Sequence, residues 1–370
     1  MVEKLKSIAK TIVNYSLELK ADEKVLIICQ SVIASPLVKA LITEICNQKA
    51  IPNVNIVDQE IGALLLENTT AKRVELIKKI SQFEIDNYDA FINIKYSVND
   101  YEAKNINNDI ISMIGEQLKD ISDIRINERK WVLINYPSIL DAYKSKMKIE
   151  EFHSYALKVM DINYQQMAVD IKPLKELMEK TDKVRITGKD TDLVFSIKDM
   201  PVIPCVGKNN IPDGEIFTAP IKNSVNGYIT YNTPAPYRGK IYTNIKLTFK
   251  DGKIISATCN ENDEDLNRIF NTDEDSRYIG EFAIGLNPLI TEPMGDILYD
   301  EKIIGSIHFT PGRSYRDSYN GNNSSIHWDL VLIQRPEYGG GNIYFDDVLI
   351  RENGLFVLEE LKHLNYGLTG

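Results

Sequence analysis

Hydrophobic positions in the first half of the chain switch between two periods. From Val2 to Leu19 apolar residues recur at helical spacing (Leu5, Ile8, Ala9, Ile12, Val13, Tyr15), which predicts an amphipathic helix. Lys24-Val-Leu-Ile-Ile-Cys29 follows as an unbroken apolar run, the pattern of a strand buried on both faces. The alternation then repeats. Ser35-Pro36 caps and starts a helix to about Asn47, and Val54–Val57 predicts a second strand. Helices follow near 59–67 and 71–82, and Ala90–Lys95 and Trp131–Asn135 are two more strands separated by helical material. Continuous apolar strands alternating with helices predict an α/β domain built on a mostly parallel sheet.

Beyond a helical stretch over 149–180 the texture changes. Val184–Lys189, Leu193–Ile197, Tyr228–Tyr231, Ile245–Phe249 and Asn342–Phe345 read as short strands, and Asp251-Gly252 and Gly339-Gly340-Gly341 supply turns. The expected division is an N-terminal α/β domain over 1–180 and a β-rich α+β domain over 181–370. A length of 370 residues agrees with two domains, since single cores stop growing below this size.

Composition narrows the classes of function. The chain is 43% hydrophobic and 26% charged, a globular balance. With 43 Lys and Arg against 53 Asp and Glu, the formal charge is −10, and no dense basic stripe offsets repulsion from phosphate, so nucleic acid is not an expected partner. No apolar run reaches the length of a membrane span, and Met1-Val2-Glu3-Lys4-Leu5 opens a mixed-charge amphipathic segment rather than a signal peptide. Cys29, Cys46, Cys205 and Cys259 are scattered without CxxC spacing, the usage of a reducing cytoplasm. No G-x-G-x-x-G or Walker-type loop follows Lys24–Cys29, which argues against nucleotide binding there.

The candidate chemistry lies in the second half. Four segments each set a metal-competent side chain beside a turn or glycine: Glu215 in Asn210–Pro220, Glu281 in Gly280–Pro288, His308 and Tyr315 in Gly305–Tyr315, and His327 with Asp329 at the head of a β-type run. On a strand His327 and Asp329 share a face while Trp328 points away. Three carboxylates, two imidazoles and a phenol suit two adjacent divalent ions with a bridging carboxylate. Spacing alone leaves the plain alternative open, with Glu215 solvated after a turn and each histidine a packing residue. Glu281 is the odd member, because a carboxylate among Phe and Ala needs partners. His153 and His363 read as ordinary surface residues.

In the same order, these segments resemble the thermophilic-type metallo-aminopeptidases of the aminopeptidase T and aminopeptidase S kind. The resemblance is carried by the Pro-x-Gly-Glu-x-Phe-Thr-Ala-Pro run at Glu215 and the Gly-Glu-Phe-Ala-x-Gly-x-Asn-Pro run at Glu281. It continues through Leu298–Lys302, Ile307-His308 with Gly312–Tyr315, and Ser324–Asp329, and it is dense from about 183 to 332. It implies a metal-dependent aminopeptidase acting on small peptides with a free N-terminus, and a homodimer. Two divalent ions (zinc, cobalt, manganese or magnesium) would be held by Glu215, Glu281, His308, His327 and Asp329, with Tyr315 as ligand or close neighbour. Glu215 and Glu281 are both open as the general base, and Tyr315 is expected to steady the tetrahedral intermediate. The competing expectation is a single-iron dioxygenase that opens aromatic rings on His, His and Asp ligands. Such an enzyme would leave both glutamates without a task.

Overall fold

The four apolar runs of the first half pair with one another as β1 (Lys24–Cys29), β2 (Ile51–Ile56), β3 (Ala90–Lys95) and β4 (Lys130–Asn135). They form a parallel sheet in the order β2-β1-β3-β4, and Asn210–Ile211 adds a two-residue strand beside β4. In the computed structural model, which describes residues 2–99 and 106–369, two compact units emerge. One holds the residues up to Ile162 together with Gly207–Pro212, and the other holds Asn163–Val206 with Asp213–Gly370.

In the first unit the central strands are buried on both faces, as an all-parallel sheet covered by helices requires. Leu26, Ile85, Phe91 and Ile121 form one such cluster, with Trp131 and Tyr88 packed against it. Two local expectations shift. The first helix is α-helical over Val2–Thr11 and then widens to a π-turn over Ile12–Ser16. Ser35 is the first residue of its helix rather than its cap, and Ser31 instead caps the 3-10 turn before it through the Ile33 N–H. The stretch 149–180 is three helices, Ile149–Met160, Tyr164–Asp170 and Lys172–Lys180. Asn163 caps the second of these and Pro173 lies in the first turn of the third.

The second unit is strand-rich. An eight-stranded antiparallel sheet runs in the order 253–258, 246–250, 226–230, 191–196, 183–188, 341–345, 348–352, 355–356. The second sheet comprises β5 (Ile203–Cys205), β6 (Glu215–Thr218), β7 (Ile279–Gly285), β8 (Ser306–Pro311) and β9 (Val331–Ile333), in the order β9-β8-β7-β6-β5. All its pairings are antiparallel. One face of it is apolar: Phe282 and Phe309 each meet the ring of Phe195 at 5.0 Å between centroids. The other face carries the chemistry.

Candidate metal centre

Strand register assembles the site. Residues directly opposite in an antiparallel pair point to the same face. Glu281 faces Thr310, Ala283 faces His308, Gly285 faces Glu215, and Glu215 in turn faces Cys205. One sheet face therefore presents Cys205, Glu215, Glu281, His308 and Thr310, with small Ala283 and Gly285 between the larger side chains. Both glutamates follow a glycine for steric reasons. Gly214 has φ +131° and packs against Asn287, which lies 3.0 Å from where a Cβ would sit. At Gly280 the backbone of Gly312 and Arg313 passes 2.2–2.4 Å from the same point. The strand register slips there, and the resulting bulge turns Glu281 toward His308.

His327 and Asp329 do not lie on a strand proper: His327 forms a single bridge with Gly312, and β9 begins only at Val331. The connecting backbone is nonetheless extended enough to keep the alternation. His327 Nε2 lies 3.2 Å from Asp329 Oδ1, while Trp328 turns away onto Tyr237, Tyr242 and Phe270. Thr310 Oγ1 donates to Asp329 Oδ1 at 2.8 Å and fixes that carboxylate.

All six expected side chains converge. His308 Nε2 lies 2.9 Å from Glu281 Oε1, and His327 Nε2 lies 3.7 Å from Glu281 Oε2. Glu281 thus stands between the two imidazoles, and with His327 and Asp329 it forms a group whose ligand atoms lie within 4.8 Å of one another. The Tyr315 ring meets the His327 ring edge-on at 4.9 Å. Exposure is graded across the group. His308 is 1% exposed and Tyr315 is 52% exposed, so the site opens on the Tyr315 side.

Both imidazoles are oriented in the same way. His308 Nδ1 lies 3.2 Å from the Glu301 carbonyl and His327 Nδ1 lies 2.8 Å from the Arg313 carbonyl. A carbonyl only accepts, so Nδ1 donates in each ring and Nε2 is left toward the carboxylates. This is the backing that histidine ligands of metals have. Burial alone would push both imidazoles down, yet the carboxylates around them push both up to about 10. Asp329 is held well below the usual carboxylate range, because His327 and the Thr310 hydroxyl outweigh its burial. Desolvation and then the carboxylates of Glu281 and Asp329 push the Tyr315 phenol up.

The donor set fits a divalent cation. Glu215 Oε2 and Glu281 Oε2 are buried carboxylate oxygens without a hydrogen-bond partner, an arrangement that costs free energy unless a cation completes it. Imidazole nitrogens and carboxylate oxygens are what borderline and hard divalent ions accept.

Sequence reasoning missed the other side of this cluster. Lys302 is fully buried, pairs with Glu301 Oε1 and lies 3.7 Å from Glu215 Oε1. The carboxylates of Glu215, Glu301 and Asp213 keep its ammonium protonated against the effect of burial. Cys205, Asp213 and Glu215 also have metal-like spacing, but the cation facing those two carboxylates is Lys302. In the sequence Lys302 is one charge in the run Asp300-Glu301-Lys302, and only the following Ile303-Ile304-Gly305 hints at burial. His363 is exposed, as expected. His153 departs from expectation: it is half-buried, edge-on to Tyr136 at 5.7 Å between centroids, and burial pushes its imidazole down.

A family model described as Thermophilic metalloprotease (M29) matches residues 1–342. Aminopeptidase 2 of Geobacillus stearothermophilus is 33% identical over 113 residues, covering 29% of this chain and 26% of that protein. Aminopeptidase AmpS of Bacillus subtilis is 31% identical over 126 residues (33% and 30%). Aminopeptidase T of Thermus thermophilus is 30% identical over 139 residues (33% and 34%). The aligned stretches thus span 26–34% of these relatives' own lengths. The structure of wild-type AmpT from Thermus thermophilus superposes with a TM-score of 0.78 at 17% identity, over 96% of this chain and 99% of that one, and it shares the fold. These comparisons lend no support to the ring-opening dioxygenase alternative.

Proposed function

The chain belongs to the thermophilic metalloprotease family, and from that premise we propose that it is a metal-dependent aminopeptidase releasing residues from the free N-terminus of small peptides. The observation that carries this reading is the pair of buried, unsatisfied oxygens, Glu215 Oε2 and Glu281 Oε2, on one sheet face with the His308 imidazole and beside His327 and Asp329 of the adjoining loop. Two divalent ions (zinc, cobalt, manganese or magnesium) would share Glu281. One would take Glu215 and His308, and the other His327 and Asp329, with Tyr315 beside them. When bound, such ions supply Lewis acidity, polarising the scissile carbonyl and making a water acidic enough to attack it near neutral pH.

The protein's own groups supply the rest. Lys302 lies at one oxygen of Glu215 and leaves the other facing the site, while His308 and Thr310 fix Glu281 and Asp329. The proton lost by the attacking water must pass to a carboxylate and on to the leaving amine. Glu215 and Glu281 are the candidates, and separate Glu→Gln substitutions distinguish them. The Tyr315 phenol, kept protonated, can donate to the developing oxyanion from the open side, where the peptide enters.

We also infer a homodimer working in the cytoplasm. The helix Gln59–Glu67 buries none of its residues within the chain and exposes Ile61, Leu64 and Leu65, and the edge strand β2 exposes Ile51 and Ile56. Exposed apolar side chains of this kind favour burial against a second copy. All four cysteines are unpaired, as a reducing compartment leaves them.

Elemental analysis combined with an aminoacyl-anilide panel tests the reading. The expected result is two divalent ions per chain and cleavage of free but not N-acetylated substrates. A thoroughly chelated protein that still cleaved at the full rate would sink it.

A further inference from the structure

The loop that delivers His327 and Asp329 is tied to the 311–314 backbone through the Ser314 N–H to the Asn322 carbonyl (3.2 Å), the Arg313 N–H to the Ile326 carbonyl (2.7 Å) and the Trp328 N–H to the Pro311 carbonyl (3.2 Å), and side chains hold the rest. From Asn322 to Ile326 every backbone N–H is accepted by a side chain. Asn322 donates to Asn320 Oδ1 (3.1 Å), Asn323 to Asp275 Oδ2 (2.9 Å), Ser324 to Asn322 Oδ1 (3.0 Å), Ser325 to Asp273 Oδ2 (2.7 Å) and Ile326 to Ser324 Oγ (3.2 Å). At the centre of this arrangement stands Asp273, in the turn between the helix Asp263–Ile269 and β7. Besides the Ser325 N–H, its carboxylate accepts from Ser325 Oγ at 2.7 Å, from Ser324 Oγ at 2.8 and 3.0 Å, from Ser276 Oγ at 2.8 Å and from the Asp275 N–H at 3.1 Å. These donors hold its carboxyl well below the usual range although burial opposes them. On the far side, the Arg313 guanidinium donates to the Ser324 carbonyl at 2.9 Å, and the Arg313 carbonyl orients His327.

We infer that Asp273 is a positioning residue for the metal centre: it ties the turn leading into the Glu281 strand to the loop carrying His327 and Asp329, so affinity for the ion held by those two residues depends on it. The chemistry specifies a charged acceptor. An asparagine offers one accepting oxygen and turns an NH2 donor toward serine donors, which loosens the loop two residues before His327. Partners that orient ligands from behind are worth about 10–100-fold in metal affinity.

This inference rests on the metal-dependent peptidase reading, and the experiment separates the two. Full-length wild type, Asp273→Asn and Ser325→Ala are stripped of metal and titrated with Co²⁺, following heat and the cobalt absorption band. In Asp273→Asn one of the two binding events is expected to weaken about 10–100-fold with an altered band, while the other keeps its wild-type affinity. Ser325→Ala, at an exposed position, is expected to show a smaller loss at the same ion. Wild-type affinity and spectrum at both ions in Asp273→Asn overturn the inference, whatever happens to thermal stability. If that variant does not fold, unchanged affinities in Ser325→Ala overturn it instead. Wild-type protein that takes up no Co²⁺ overturns the metal-centre reading and this inference with it.

Discussion

At the scale of single residues, the centre is a contest between burial and charge. Glu281 lies between two imidazoles and is 3% exposed, with one oxygen 2.9 Å from His308 Nε2 and the other 3.7 Å from His327 Nε2. Glu281→Gln is expected to cut turnover by about 10²–10⁴-fold in metal-supplemented assays, the worth of a positioned proton-transfer group. The far-ultraviolet circular dichroism should stay unchanged, because the amide keeps the side-chain shape. Near-wild-type turnover in a metal-loaded sample would remove Glu281 from the chemistry. Glu215 and the two histidines gained weight in the sequence only from the family resemblance, whereas Glu281 was legible by itself because a carboxylate among Phe and Ala is conspicuous. Lys302 and Asp273 were not, because a lysine or aspartate in a polar run looks like any solvated charge. Only the tertiary structure shows that Lys302 has no access to water and that Asp273 collects donors from two segments.

At the scale of elements, glycine placement decides what the strands can do. Gly280→Ala should destabilise the protein by about 1–3 kcal/mol, the usual cost of overpacking, because the Gly312–Arg313 backbone cannot retreat from a methyl group without moving β8. Gly62→Ala is the matched control. Gly62 lies in the helix Gln59–Glu67, where the nearest atom to an added Cβ is a Val57 methyl at 3.8 Å, and about 0.5–1 kcal/mol of stabilisation is expected there. Urea unfolding of both variants checks the pair, and a Gly280→Ala protein as stable as wild type would contradict the packing argument. Hydrophobic period located β1, β3 and β4 to within a residue, because strands buried on both faces have no competing pattern. It placed His327 and Asp329 on a strand that starts only at Val331, because an extended loop and an edge strand look alike in sequence. The join of three short helices over 149–180 was hidden for a similar reason, since the apolar stripe continues across the breaks.

At the scale of the molecule, bound ions would act as cross-links. The proposed ligands would come from β6, β7, β8 and the loop before β9, so metal should stabilise the second unit selectively. An ion present at about 100 times its dissociation constant adds about 2.7 kcal/mol to the folded state. Chelation should therefore raise hydrogen exchange in β6 to β8 while β1, β3 and β4 keep their protection, as read by mass spectrometry. Equal exchange with and without chelator would argue against ions in the site.

The pairing of Ala283 with His308 and of Gly285 with Glu215 has a consequence for recognising such enzymes. Two residues that donate no atom govern this geometry: Ala283 lies directly opposite His308, and at Gly285 an added Cβ would meet the Ile303 carbonyl at 2.3 Å. A homologue could keep Glu, Glu, His, Tyr, His and Asp in register and still be catalytically dead. A signature for the proposed site should therefore score smallness at these two positions as strictly as it scores the identity of the six expected side chains.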